Sequence, residues 1–148
     1  MTTVFDVARY VLRKLPGITT MKLQKLVYYC QAWSLVWDEI PLFEEDFEAW
    51  ANGPVCPQLF AVHRGSFVAT EEMFNGIEEN EFNQAQIETM DKVIEYYGDK
   101  TPHWLSELTH KERPWKEARK GIAPGYPSNN VITKESMQEY YGGLVADE

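Results

Sequence analysis

The domain is organised around the stretch Met21-Lys22-Leu23-Gln24-Lys25-Leu26-Val27-Tyr28-Tyr29-Cys30-Gln31-Ala32-Trp33. Its apolar residues recur at helical spacing and predict a helix that starts after Thr19 or Thr20 and runs to about Trp37. The apolar stripe consists of Leu23, Leu26, Val27, Cys30, Trp33 and Trp37. Further apolar residues widen this stripe in the second half of the helix, so we expect a central, buried helix.

Helical patterns also dominate on both sides of this segment. Further helices are predicted at residues 4–15, 57–63, 84–97, from Thr101-Pro102 onward, 116–120 and 134–141, the last ended by Gly142-Gly143. Phe47–Trp50 fits a short strand or an irregular turn, and Phe67–Ala69 is its expected pairing partner. We therefore expect a mainly α fold, a single compact helical domain over residues 1–148 with one small antiparallel β pair.

Composition and charge exclude several classes of protein. The chain has 148 residues, of which 44% are hydrophobic and 25% charged, as in an ordinary globular domain. Its net charge of −9 repels phosphate backbones and anionic membranes, so nucleic acid is an unlikely partner and a basic protein a favoured one. Neither a transmembrane run nor a secretory signal is recognisable, which predicts a cytoplasmic protein.

Catalytic and metal sites find little support in the sequence. Cys56 before a short predicted helix, with His63 one or two turns later, is the best pairing of nucleophile and base, and a buried structural cysteine is the stronger interpretation. Cys30 fits plain core. The three histidines, His63, His103 and His110, lack the spacing of a zinc site. Because the chain also has no glycine-rich phosphate loop, we expect no cofactor.

The tryptophans favour a binding module. Trp33 and Trp37 lie on the buried stripe and are expected in the core, whereas Trp50, Trp104 and Trp115 lie beside turns at the edges of predicted elements. Trp104 is expected to face inward from its helix. Each edge tryptophan is more often a packing residue than a contact residue, but aromatic anchors next to an acidic surface are typical of protein-binding domains.

Three segments together resemble a known family. They are the Met21–Trp33 stretch, then Phe47-Glu48-Ala49-Trp50-Ala51-Asn52-Gly53-Pro54-Val55-Cys56-Pro57-Gln58-Leu59-Phe60, then His110-Lys111-Glu112-Arg113-Pro114-Trp115-Lys116-Glu117-Ala118-Arg119. In this order and spacing they resemble the Panacea antitoxin domain, a SocA-like, phage-associated family. The resemblance covers nearly the whole chain and implies one Panacea-like domain.

The resemblance implies an antitoxin that neutralises a cognate protein toxin by direct stoichiometric binding. A proteolysis adaptor that delivers the toxin to a protease is the alternative within this class, and a cysteine-dependent hydrolase using Cys56 and His63 is the alternative outside it. Residues carried over as candidate partner contacts are Lys22, Lys25, Trp50, Gly53, Pro54, Val55, His110, Pro114, Trp115 and Arg119. Gly53 and Pro54 are expected to set a turn, with Trp50 and Trp115 stacked near it. The basic members either pair internally with carboxylates, which we favour, or face the toxin.

Overall fold

The computed structural model describes residues 1–146 and confirms a mainly helical fold. Within that range the helices are α1 Val4–Lys14, α2 Thr20–Trp37, α3 Pro57–His63, α4 Gln84–Tyr97, α5 Pro102–Lys111, α6 Arg113–Ala118 and α7 Lys134–Ala146. The strands are β1 Phe47–Trp50, β2 Gly53–Val55 and β3 Val131–Ile132, and Glu71–Phe74 forms a short 3₁₀ helix. Among the described residues, no helix is both long and apolar enough to cross a membrane.

Helix α2 forms the centre of the fold, as its sequence predicts. It packs against α1, α4, α5, α7 and β2, and nearly every side chain from Leu23 to Leu35 is buried. Burial of each such aliphatic side chain contributes roughly 1.5–3 kcal/mol to stability. Because α2 is apolar on nearly all sides, this burial stabilises its position at the centre of the fold. One core prediction is wrong: Trp37 remains 44% exposed because α2 ends there, and its ring stacks on the partly buried Trp33.

The helix ends follow local capping chemistry. Thr3 and Asp6 form a capping box at the start of α1, and the Thr101 side chain accepts from a backbone N–H in the first turn of α5. The prediction that Gly142-Gly143 ends the last helix is wrong, since α7 continues through both glycines to Ala146. Neither glycine has a positive φ angle, so neither forms a left-handed cap.

The small sheet has the order β2-β1-β3, and both pairings are antiparallel. β1 and β2 form a hairpin in which Trp50 lies opposite Gly53, and Phe47 pairs with Ile132 of β3. The predicted pairing of Phe47–Trp50 with Phe67–Ala69 is therefore wrong. Val68 instead forms an isolated antiparallel β-bridge with Thr19. Next to it, the Phe67 carbonyl accepts from the Thr20 N–H, which has no partner within α2 because it lies in the first turn.

Helices α5 and α6 meet at Glu112 and lie against the hairpin. Leu105 is fully buried, whereas Trp104 is 39% exposed, so the prediction that Trp104 faces inward is wrong. The Lys100 ammonium lies over the exposed Trp104 ring, 5.2 Å from its centroid. Helix α6 starts at Arg113, a few residues before the predicted boundary, because Pro114 fits the first turn of a helix.

Candidate functional site

The β1–β2 hairpin brings two of the quoted segments together at Gly53. Gly53 has a φ angle of +120°, and a Cβ atom there would lie 2.5 Å from Lys25 Cε and 3.1 Å from Thr109 Oγ1. A side chain at this position would strain the backbone and would require the Lys25 side chain to move. The predicted turn role of Gly53 is explained by this packing.

Lys25 is an unusual residue for the interior of a domain. Its side chain is 1% exposed, and its ammonium lies 3.5 Å from the Pro54 carbonyl oxygen. Burial lowers the pKa of Lys25 to about 8. Within residues 1–146 no carboxylate lies within ion-pair distance of it, so the predicted pairing with a carboxylate is wrong for this residue.

The other two basic residues also bind backbone carbonyls. Lys22 donates to the Gly98 carbonyl oxygen at 2.6 Å, and Arg119 donates to those of Ala49 and Tyr126 at 2.8 and 2.6 Å. Both cations are used internally, but the predicted pairing with carboxylates is wrong for them as well, because their partners are backbone oxygens. Arg119 thereby fixes both β1 and the loop after α6.

His110, Trp115 and Arg119 form a stacked column against the hairpin. The His110 and Trp115 rings stack with centroids 4.2 Å apart, and the Arg119 guanidinium lies 5.1 Å from the Trp115 ring centroid. The Trp115 indole N–H donates to the Trp50 carbonyl at 2.9 Å. The expected stacking near the turn is found for Trp115, on His110, but not for Trp50, whose ring meets the Phe60 ring edge to face with centroids 4.9 Å apart.

Within residues 1–146, the buried Nε2 atom of His110 has no hydrogen-bond partner. Burial lowers the pKa of His110, and the nearby charge of Lys25 lowers it further. A neutral imidazole stacked on an indole is therefore the favoured state at neutral pH.

Gln24 joins α2 to the end of the hairpin. Its side-chain oxygen accepts from the Cys56 N–H at 2.9 Å, and its amide nitrogen donates to the Cys56 carbonyl at 3.2 Å. The same nitrogen lies 3.0 Å from His63 Nε2. A glutamine side chain satisfies both backbone groups of one residue here, which explains why this polar side chain is buried in α2.

The Cys56 thiol is not arranged as an activated nucleophile. It donates to Gln58 Oε1 at 3.4 Å, while the Nε2 atom of His63 is engaged by Gln24. Burial raises the pKa of Cys56 to about 11, and burial lowers the pKa of His63. The neutral thiol is therefore strongly favoured, and the structure does not bring the two predicted groups into a nucleophile–base hydrogen bond.

A cleft of about 690 Å³ opens beside the hairpin. Its wall is mostly apolar, and its apolar lining comprises Met21, Trp50, Ala51, Val55, Phe60 and Pro127. Polar and charged lining residues include Gln24, Lys25, Glu48, Asn52 and His63. This size and lining are typical of sites that receive a ligand or the side chains of a partner. We call this feature the hairpin cleft.

An acidic groove adjoins the hairpin cleft. It is lined by Glu44, Glu45, Asp46 and Glu48, with Pro57, Gln58 and Val131. Glu48 lines both features, and its carboxylate accepts from the Trp50 indole N–H at 2.9 Å. Lys134 pairs with Asp46 at 2.8 Å.

Sequence reasoning missed a buried carboxylate that holds α6 in place. Glu112 is 6% exposed, and its Oε1 atom accepts from the hydroxyls of Tyr29 and Tyr141, each at 2.7 Å. Burial raises the pKa of Glu112 to about 7, and the two tyrosine hydroxyls oppose that rise. The run of tyrosines in α2 was visible, but nothing in the sequence places Tyr141 against them.

The candidate partner contacts taken from the family resemblance differ in solvent exposure. Those buried are Lys25, Gly53, Pro54, Pro114 and Arg119, and those partly exposed are Lys22, Trp50, Val55, His110 and Trp115. The buried group assembles the hairpin against α2, α5 and α6. Of these candidates, Lys25, Trp50 and Val55 line the hairpin cleft, and Trp50 and Val55 are partly exposed there.

Fold and site together define a small, mainly helical domain with an apolar cleft beside its hairpin. The family comparison matches residues 23–116 to the family described as antitoxin SocA-like, Panacea domain. The chain belongs to this antitoxin-like family, and the expected resemblance is confirmed. The match runs from α2 into α6, and Lys22 and Arg119 lie just outside it. Comparison with curated proteins gave no match, and neither did comparison with solved structures.

Proposed function

We propose that this chain is the antitoxin of a toxin–antitoxin pair and neutralises a protein toxin in the cytoplasm by direct stoichiometric binding. The observation that carries the proposal is membership of the antitoxin SocA-like family over residues 23–116. The family segments pack together around the hairpin, and its outer side forms the hairpin cleft. Binding would inactivate the toxin by covering its active site or its substrate surface.

The surface properties of the chain support a protein partner. A specific protein interface buries about 1,600 Å² in total and depends on a few central aromatic anchors. Trp50 and Phe60 supply such rings at the hairpin cleft, and Trp115 holds the Trp50 backbone in position. The net charge of −9 attracts a basic protein and speeds its association.

Catalysis by the chain itself has less support than binding of a partner. The strongest nucleophile candidate, Cys56, is fully buried, and its pKa is raised to about 11. A hydrolase would need its thiolate accessible and paired with a base. Neither requirement is met by the contacts of Cys56 and His63.

The test is co-expression with the product of the adjacent gene. That product is expected to arrest growth when induced alone, and the chain is expected to restore growth and to co-purify with it at a fixed molar ratio. Cys56→Ala is the matched control, because binding survives removal of the thiol whereas thiol catalysis does not. Toxicity that persists with the folded chain present would contradict the proposal. A shortened toxin half-life in the presence of the chain would instead identify the adaptor alternative.

A further inference from the structure

Building on the proposed antitoxin function, we propose that the hairpin cleft and the acidic groove together bind one basic segment of the toxin. An aliphatic or aromatic side chain of that segment enters the cleft, and lysines or arginines beside it contact the carboxylates of the groove. The two features share Glu48 as a common wall, so a single extended segment can occupy both.

The apolar part of the surface extends beyond the cleft itself. Thr20 and Met21 line the cleft, and the Thr20 N–H donates to the Phe67 carbonyl at 2.9 Å, which places Phe67 at this edge. Phe67 is 78% exposed and Met21 41%. Tyr126 lies in the chain between two lining residues, Gly125 and Pro127, and is 64% exposed. Exposed rings next to residues that line an apolar cleft favour an occupant with an apolar side chain.

The electrostatic part of the surface selects the sign of the occupant. Four carboxylates line the groove, and one of them, Asp46, is paired with Lys134. Within the described residues no ion pair forms at Glu44, Glu45 or Glu48. The net charge of the whole chain, −9 with these carboxylates included, has the same sign. Charge complementarity therefore favours lysine or arginine in the partner segment.

The same charges disfavour the other occupants. A nucleic acid would bring phosphates to the groove, and a second copy of the chain would bring another net charge of −9. Both approaches are repelled at low ionic strength. A basic protein segment satisfies the apolar cleft and the acidic groove at once.

The test measures binding of the adjacent gene product, and of synthetic 15-residue peptides that tile it, to wild-type chain and four variants. Phe67→Ser removes an exposed ring whose backbone contacts the lining residue Thr20, and Tyr96→Ser removes a ring on α4 that is 61% exposed. Glu44→Lys reverses a charge in the groove, and Glu95→Lys reverses an exposed charge on α4. All four positions are exposed, so unchanged melting temperatures confirm folding of each variant.

We expect Phe67→Ser to weaken binding at least about tenfold and Glu44→Lys to weaken it about fivefold, more at low salt. Both α4 controls should bind as wild type, and the tightest peptide should combine basic and apolar residues. If the wild-type chain rescues growth but the cleft variants bind the toxin as tightly as their α4 controls, the cleft assignment is overturned. The antitoxin function then still stands. Failure of the wild type to bind or rescue overturns both. Chain self-association that Phe67→Ser disperses, or tighter binding of RNA than of peptide, also overturns the assignment.

Discussion

Replacing Glu112 with glutamine should remove a pH dependence from the stability of this domain. The Glu112 carboxyl is 6% exposed and contacts the hydroxyls of Tyr29 and Tyr141. No cation forms an ion pair with it in the described part of the chain. Glutamine has nearly the same shape and keeps an oxygen that accepts from the tyrosines, but it carries no charge.

The magnitude follows from the pKa of Glu112. The pKa is raised from 4.5 to about 7, so the folded chain binds the proton more tightly than the unfolded chain. Between pH 4.5 and 7 the folded state therefore holds more protons, and the free energy of unfolding falls as pH rises. At about 1.4 kcal/mol for each tenfold change in proton affinity, the loss amounts to about 3 kcal/mol.

The assay is urea unfolding of wild type and Glu112→Gln at pH 4.5, 6 and 8. We expect the stability of the variant relative to wild type to increase by about 3 kcal/mol from the lowest to the highest pH. Using this difference cancels the contribution of His63 and His110, whose pKa values are lowered by burial and whose effect on stability has the opposite sign. A difference that stays constant across this range would refute the reasoning.

Three further predictions concern the hairpin and the thiol. Gly53→Ala should lower the free energy of unfolding by about 2 kcal/mol or more, because Gly53 has a φ of +120° and lies close to Lys25. As a control, Gly142→Ala, in open space within α7, should raise the free energy of unfolding by about 0.5–1 kcal/mol. Equal effects of the two substitutions in chemical denaturation would refute the packing argument. Trp115→Phe should cost about 1 kcal/mol by losing one hydrogen bond to the hairpin, and an unchanged urea midpoint would contradict this. Cys56 should react with iodoacetamide at pH 8 at least about 100-fold more slowly than free cysteine, measured by mass spectrometry, and rapid labelling of the folded chain would contradict its buried, protonated state.

The helical skeleton could be predicted because its signals are local. Thr3, Thr101 and the apolar period of α2 each act within one or two turns, so their patterns identify helix starts and buried faces. The continuation of α7 through Gly142 could not be predicted from a propensity that normally ends a helix.

The sheet and the buried polar contacts depend on distant residues. β3 has two residues and pairs with β1 across more than 80 positions, which no period in the sequence reveals. An internal role was predicted for Lys25 and Arg119, but with carboxylate partners. Their actual partners are backbone carbonyls in other elements. Glu112 gave no signal because its partners come from α2 and α7.

The candidate site was predicted in part. The turn at Gly53 follows from residue types, and the placement of Trp115 beside it was implied by the family resemblance. The hairpin cleft required the structure, since Met21, Phe60 and Pro127 approach one another only in the folded chain. The contact role of the individual candidates stays a prediction.

The most direct test of the central claim is a titration of purified toxin activity with the purified chain. We predict that toxin activity falls linearly to zero at a fixed molar ratio, and that denaturing separation returns toxin of unchanged mass that regains activity on refolding. Inactivation by far less than one equivalent of the chain, or recovery of a cleaved or modified toxin, would contradict neutralisation by binding alone.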